Sequence, residues 1–209
     1  MWLSAEALVV RFGRRTVFDG FTASFPDRTL TALVGPSGSG KTTLLSLLAG
    51  QAQPFAGTVR LHLDESDAGV PPEPSLVAWV PQGSNALGAR SALDNVLIGA
   101  LAAGRSLADA HATALGEMER VGVADLAEVA AKDLSGGELQ RVCFARALAS
   151  GRPIIFADEP SASLDEASTR QLAAVMEVLR STRLVIVATH DPLLMHSAQR
   201  TVSMRTEAS

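Results

Sequence analysis

The chain has 209 residues, of which 47% are hydrophobic and 19% are charged, so it can bury a core and a largely disordered chain is excluded. The formal net charge of −4 provides no overall basic field, which argues against a nucleic acid partner. The single cysteine, Cys143, excludes an internal disulfide and fits a reducing compartment.

Short apolar runs separated by turn residues predict β-strands in the first third of the chain. We expect these strands at about 8–12, 21–25, 29–34 and 58–63. The glycine-rich segment 35–40 lies within this region and is followed by an apolar helix, 42–49, that Gly50 ends. Three prolines predict a loop at 70–75, and the short strand 76–80 follows it.

The second half of the chain begins with helical spacing of alanine, leucine and acidic residues, from about Ser91 to Glu128. A further helix is expected after Ser135 and runs to about Ala149. Beyond it we predict, in order, the strand 154–157, the amphipathic helix 166–180, the strand 184–188 and an edge strand, 200–204. Strands that alternate with helices predict an α/β fold with a mostly parallel sheet flanked by helices.

A phosphate-binding loop is the first motif with a chemical meaning. The residues 35–42, GPSGSGKT, fit the pattern G-x-x-x-x-G-K-[ST] and lie between an apolar strand and an apolar helix. Glycines allow several backbone N–H groups to point at one anion, and the helix adds its positive N-terminal end. Lys41 supplies a full charge for the β- and γ-phosphates, and the Thr42 hydroxyl is a ligand of the kind Mg²⁺ prefers.

Two carboxylates end the apolar strand at 154–157. In P-loop proteins an aspartate at the carboxyl end of such a strand holds Mg²⁺, so we assign Asp158 to the metal side. Glu159 is the candidate general base for the water that attacks the γ-phosphate. An acidic pair after a strand is ordinary by itself, and its meaning depends on the phosphate loop in the same sheet.

The segment 134–141, LSGGELQR, has the composition of a helix start. Ser135 is a good N-cap, two glycines leave backbone N–H groups accessible, and Glu138 lies in the first turn, where negative charge is favoured. By itself it predicts only a capped helix. LSGGE lies between the phosphate-binding loop and the strand that ends in the acidic pair. With the three motifs in this order, the sequence resembles the ABC ATPase family, and LSGGE resembles its signature motif.

This resemblance covers essentially the whole chain and implies roles for further residues. Gln82 is placed like the Q-loop glutamine, the segment 161–165, SASLD, like the D-loop, and His190 like the switch histidine. Phe12 is placed like the aromatic residue that stacks on adenine, although that position is more often tyrosine in the family. The implied ligands are ATP and Mg²⁺, with Glu159, His190 and Lys41 catalytic and with Thr42, Gln82 and Asp158 at the metal. The nucleotide-binding set is Phe12, Gly35, Pro36, Ser37, Gly38, Ser39, Gly40, Lys41, Thr42 and Thr43, with Ser135, Gly136, Gly137 and Glu138 from a second cassette.

The family resemblance also implies an organisation and a function. It implies one ABC ATPase domain over 1–209, with an ATP-binding core and antiparallel β subdomain in 1–82 and 151–209 and an inserted helical subdomain in 83–150. Two cassettes would face each other head to tail, so that the signature of one covers the γ-phosphate held by the other. Hydrolysis would then drive transport through separate permease subunits that dock near 83–98.

No apolar run has the length of a membrane helix and no signal-peptide pattern opens the chain, so we expect a cytoplasmic protein that reaches the membrane only through its partner. The alternative function is a non-transport ABC ATPase that assembles or regulates a soluble complex, such as the iron–sulfur assembly type. A P-loop kinase or GTPase is disfavoured by LSGGE, and Lys132-Asp133 lacks the preceding asparagine of a guanine-recognition motif.

Overall fold

A computed structural model describes residues 1–13, 15–64, 67–83, 85–162 and 164–204. Its strands are β1 (Trp2–Phe12), β2 (Arg15–Pro26), β3 (Leu30–Val34), β4 (Ala56–His62), β5 (Val77–Val80), β6 (Ile154–Asp158), β7 (Leu184–Ala188) and β8 (Arg200–Ser203). Its α-helices are α1 (Lys41–Leu48), α2 (Ala92–Ala102), α3 (Leu107–Arg120), α4 (Gly136–Ala149), α5 (Glu166–Arg180) and α6 (Pro192–Ser197).

A five-stranded parallel sheet forms the centre of the fold, with strand order β5-β6-β7-β3-β8. Its central strands are buried on both faces, which explains why they consist of continuous apolar runs. Alternate residues face opposite sides, so that Ile155 and Val185 pack in one hydrophobic core and Phe156 and Ile186 in another. The five carboxyl ends share one edge, and the loops that follow them meet there.

A second, antiparallel sheet has the order β2-β1-β4. Its apolar side chains, including Leu3, Leu8 and Phe25, share a core with α1 and with one face of the parallel sheet. Helix α1 therefore lies between the two sheets, and its leucines Leu44, Leu45, Leu47 and Leu48 are buried. This packing fixes the position of the loop that precedes α1.

Helices α2, α3 and α4 pack against one another and share a core with the other face of the parallel sheet. Helices α2 and α4 come very close at Gly99, where a Cβ atom would lie 2.2 Å from the Arg146 carbonyl oxygen. The fully buried Asn95 fixes the segment before α2, because its side chain accepts from the Leu87 N–H at 2.7 Å and donates to the Ser91 carbonyl at 2.9 Å. In the described residues no helix combines the length and apolarity that a membrane crossing requires.

The predicted α/β class, the flanked parallel sheet and the additional antiparallel sheet are confirmed, and the predicted strands and helices are present with shifted ends. Leu76 belongs to a 3₁₀ turn, Pro74–Leu76, rather than to the strand that follows. Helix α6 was not predicted, although Asp191 caps its first turn and Pro192 occupies its first position. The division into an ATP-binding core and an inserted helical subdomain remains a prediction.

Candidate functional site

The loop between β3 and α1 is shaped by close contacts that exclude side chains at its glycines. Gly40 precedes α1 with φ 94°, and a Cβ there would lie 2.5 Å from Val17 and 2.8 Å from Phe18. A Cβ on Gly35 would lie 2.7 Å from the Met204 carbonyl oxygen. The first backbone N–H groups of α1 have no partner within the helix, so this helix start is suited to an anion.

Lys41 is buried inside this loop, with a side-chain exposure of 7%. Its ammonium group donates to the Gly35 carbonyl at 2.9 Å and forms an ion pair with Glu159 at 3.1 Å. A buried ammonium group requires such partners, because an unpaired charge loses its hydration. The lysine is therefore held inside the loop by these two partners.

Thr42 and Asp158 form an oxygen pair at the start of α1. The Thr42 hydroxyl donates to Asp158 Oδ2 at 2.6 Å, which brings together two residues separated by more than a hundred positions in the chain. Burial raises the pKa of the Asp158 carboxyl, and the charge of Glu159 adds to this, while the Thr42 hydrogen bond and the Lys41 charge oppose it. A hydroxyl and a carboxylate side by side are the ligand types that Mg²⁺ prefers, so these two residues fit the cation.

Glu159 and His190 meet because their strands are neighbours. Asp158 of β6 is paired with Ala188 of β7, and the Glu159 N–H donates to the Ala188 carbonyl at 2.8 Å. Each side chain therefore follows the carboxyl end of an adjacent strand, and His190 Nδ1 lies 2.9 Å from Glu159 Oε2. Glu159 adopts φ 44°, a left-handed conformation that disfavours non-glycine residues. Such strain is frequent at functional sites.

A cavity of about 430 Å³ collects most of the predicted site residues. It is lined by Phe12, Arg15, Val17, Ser37, Gly38, Gly40, Lys41, Thr42, Thr43, Gln82, Asp158 and Glu159. Phe12 is 61% exposed, so its ring is available for stacking on a planar group. The other loop residues Gly35 and Pro36 accept hydrogen bonds from Lys41, and Ser39 is buried with its hydroxyl unpaired among the described residues.

Sequence reasoning missed two residues of this cavity, Arg15 and Val17. Both belong to β2, which pairs with the strand that carries Phe12. The turn at Gly13 was the available signal, because it predicts a hairpin that returns the chain towards Phe12. The register of that hairpin is interrupted by irregularities, so sequence alone does not identify the neighbour of Phe12.

The LSGGE segment lies at the start of α4. Its residues are not among the described residues that line the cavity. Ser135 and Glu138 form a capping box, in which Glu138 Oε2 accepts from the Ser135 N–H and hydroxyl, both at 2.8 Å. The hydrogen bond from the Ser135 backbone lowers the pKa of the Glu138 carboxyl. Gly137 packs on α5, where a Cβ would lie 2.6 Å from the Ser168 hydroxyl oxygen. Ser135 and Gly136 are exposed, so this helix start can meet a second molecule.

The two remaining predicted segments lie near the nucleotide cavity and at the start of α5. Gln82 lines the cavity, and three residues further on the Asn85 side chain and carbonyl accept hydrogen bonds from Arg146 of α4. In the segment 161–165, Asp165 caps α5 by accepting from the Ser168 N–H at 2.8 Å. Ser163, which was predicted as part of this segment, lies outside the described residues.

Comparison with known proteins gives one consistent result. Residues 18–162 match the family model described as ABC transporter. The phosphonates import ATP-binding protein PhnC 2 of Rhodopseudomonas palustris is 39% identical over 201 residues, which cover 89% of this chain and 69% of that protein. The lipoprotein-releasing system ATP-binding protein LolD of Bacteroides thetaiotaomicron is 35% identical, with coverage of 97% and 96%. Some relatives named as export ATP-binding/permease proteins are longer, and the chain spans 30% of their length.

Solved structures agree with the sequence relatives. The dimeric bacterial ABC transporter cassette MJ0796 superposes with a TM-score of 0.80 at 25% identity, and the match covers 96% of this chain and 93% of the other. The family model spans more than half of the chain. The chain therefore belongs to the ABC transporter family of ATP-binding cassettes and is an ATPase.

Proposed function

We propose that this ATPase hydrolyses Mg-ATP as a head-to-tail dimer and energises transport through separate membrane permease subunits. One observation carries the proposal. Lys41, Thr42, Asp158 and Glu159 meet in one cavity, whereas the signature segment at the start of α4 lies outside that cavity, with Ser135 and Gly136 exposed. A cavity with the phosphate loop and the two carboxylates but without the signature segment would be one half of a composite site, which a second chain completes.

The cavity has the features that ATP binding requires. The exposed ring of Phe12 offers a stacking surface for adenine, and the loop from Gly35 to Thr43 offers backbone N–H groups and the Lys41 charge to the phosphates. The ammonium group of Lys41 is paired with Glu159. Phosphate oxygens that compete for this ammonium group would release the Glu159 carboxylate for proton transfer.

Thr42 and Asp158 are the proposed ligands of Mg²⁺, with Gln82 beside them in the same cavity. When bound, the cation would neutralise negative charge on the phosphate oxygens. The burial of Asp158 supports this assignment, because a buried carboxylate requires a positive partner. Gln82 would also report the state of the site to the helices, because the segment that follows it is held by Arg146 of α4.

Glu159 is the proposed general base for the attacking water. Its carboxylate is 13% exposed, and its two oxygens contact different partners, Lys41 and His190. His190, whose side chain is 74% exposed, would hold the carboxylate in position and contact the γ-phosphate. The proton removed from water would pass to Glu159, and the charge on the phosphate would be stabilised by Lys41.

A second copy of the chain, or a close paralogue, would complete the site with Ser135, Gly136, Gly137 and Glu138. The capped start of α4 supports this role of the segment, because the N–H groups at a helix N-terminus favour an anion. The dimeric state of the cassette MJ0796, which has the same fold, agrees with this arrangement. ATP would hold two chains together, and hydrolysis would separate them.

The membrane partner is inferred from the relatives, whose names include an import protein and a lipoprotein-releasing system. The proposed docking surface, 83–98, includes the exposed side chains of Leu87 and Ile98, while Ser84 lies outside the described residues. The chain would then lie on the cytoplasmic face of the membrane. The names of relatives describe both import and export, so no direction of transport is proposed.

The test is the variant Glu159→Gln, with Glu128→Gln as its control. Glu128 is an exposed residue that does not line the cavity. We expect Glu159→Gln to bind ATP, to elute as a dimer when ATP and Mg²⁺ are present, and to lose about 10²- to 10⁴-fold in turnover. A Glu159→Gln variant that hydrolyses ATP at the wild-type rate would refute the base assignment.

The transport role is tested separately by purification from detergent extracts of the source cells. Recovery of a multi-span membrane protein with this chain supports the proposal. Consistent recovery of soluble partners alone would favour the assembly or regulatory function instead.

A further inference from the structure

Arg15 lies beside Phe12 at the mouth of the nucleotide cavity. It is the first residue of β2, and the hairpin register pairs its Cα with that of Phe12. Directly paired residues of an antiparallel hairpin project from the same face of the sheet. Both side chains are exposed and both line the cavity, so a planar group stacked on Phe12 would have Arg15 at its edge.

The guanidinium group of Arg15 is already tethered to the phosphate loop. Its Nη2 donates to the Gly38 carbonyl at 2.7 Å. A Cβ on Gly38 would lie 3.4 Å from the same nitrogen, so the arginine lies directly against the loop backbone. Because a guanidinium group has five N–H donors in a rigid plane, this bond leaves others available to a ligand.

The charges of the cavity show what Arg15 contributes. The charged residues that line it are Arg15, Lys41, Asp158 and Glu159, so the two cations and the two carboxylates cancel. Lys41 is committed to an ion pair with Glu159 at 3.1 Å. Among the described residues, no carboxylate lies within ion-pair distance of Arg15. Arg15 thus supplies half of the fixed positive charge in a site for a polyanion.

We propose that Arg15 binds the phosphate chain of the nucleotide, as a second fixed cation that approaches from the adenine side. Lys41 and Thr42 lie at the metal end of the cavity, beside Asp158 and Glu159. Arg15 is instead paired with Phe12 and bonded to Gly38, so it would contact the phosphates that ATP and ADP share. This assignment rests on the proposed function only in that the nucleotide occupies this cavity.

The experiment is calorimetric titration of Mg-ADP into the wild-type chain and into Arg15→Gln, Arg15→Lys and Arg11→Gln. Arg11 is the matched control, because it belongs to the same hairpin but lies over the Phe55 ring, 5.0 Å from its centroid, and does not line the cavity. ADP avoids turnover during the measurement. The titrations are repeated at several salt concentrations, and the melting temperature of each nucleotide-free protein is recorded.

We expect Arg15→Gln to weaken ADP binding about tenfold, the usual loss for one hydrogen bond to a charged group. Arg11→Gln should remain within about twofold of the wild type, because an exposed charge outside the site contributes little. Arg15→Lys should be intermediate, since lysine keeps the charge but not the planar donor group. The affinity of Arg15→Gln should also depend less on salt than that of the wild type, because salt screens an attraction that this variant has lost.

Three results would overturn the assignment. One is an Arg15→Gln affinity equal to that of Arg11→Gln. Another is a loss of affinity with unchanged salt dependence and a lower melting temperature, which would mean that Arg15 only supports the loop through Gly38. The third is a wild-type chain that binds no ADP, which would refute the proposed nucleotide site as well.

Discussion

The contact between α2 and α4 makes a quantitative prediction at Gly99. In the substitution Gly99→Ala the new methyl group would lie 2.2 Å from the carbonyl oxygen of Arg146, whereas real Cβ contacts essentially never fall below 3.0 Å. The clash is with backbone, so no side-chain rotation relieves it and the two helices must separate by about 1 Å. Overpacking of this kind costs about 1–3 kcal/mol.

Alanine also brings a gain, because it has a higher helix propensity than glycine by about 1 kcal/mol. The net loss expected for Gly99→Ala is therefore roughly 0–2 kcal/mol in the free energy of unfolding. Gly116 in α3 is the matched control, since a Cβ there meets no atom within 4 Å. Gly116→Ala should therefore stabilise the chain by about 0.5–1 kcal/mol.

The assay is equilibrium unfolding in urea, followed by far-UV circular dichroism and by tryptophan fluorescence. Coincident curves from the two probes would justify a two-state fit, and unchanged slopes would assign the shift in midpoint to stability. The two variants should differ by about 0.5–3 kcal/mol, with Gly99→Ala the less stable of the two. If Gly99→Ala proved as stable as Gly116→Ala, the close approach of α2 and α4 would be refuted.

Two further substitutions test the phosphate end of the site. Burial raises the pKa of Asp158 in the folded protein, so this carboxyl stabilises the fold below its unfolded pKa and that contribution disappears as pH rises through the folded pKa. Without nucleotide and Mg²⁺, Asp158→Asn should therefore raise the melting temperature at neutral pH, and this increase should shrink towards acidic pH. The variant should also lose the Mg²⁺ dependence of ATP binding. An equal increase in melting temperature at every pH would contradict the raised pKa of Asp158. Lys41→Ala should weaken Mg-ADP binding in calorimetry by about tenfold or more, because the buried ammonium is removed from the phosphate loop. An unchanged affinity for Mg-ADP would contradict the role of this loop in phosphate binding.

Local features of the chain were predictable because they depend on neighbours in sequence. The glycine loop and the helix after it are specified by backbone freedom and by the apolar run that follows. Ser135 and Glu138, which form the capping box, are three positions apart. The continuous apolar runs of β6 and β7 indicate buried parallel strands. These local signals were sufficient for the fold class, and most residues that line the cavity were among those predicted, while their roles remain predictions.

The sequence alone therefore determined where helices begin and predicted which residues bind phosphate or ligate a cation, since each depends on side-chain chemistry and on contacts within a few residues. Only the tertiary structure decided which of them meet. The adjacency of β6 and β7 places His190 beside Glu159, and an irregular hairpin register places Arg15 beside Phe12. The distant contact of Arg146 with Asn85 follows from the packing of α4. Such pairings depend on strand order, register and packing across the whole chain, which no local pattern encodes.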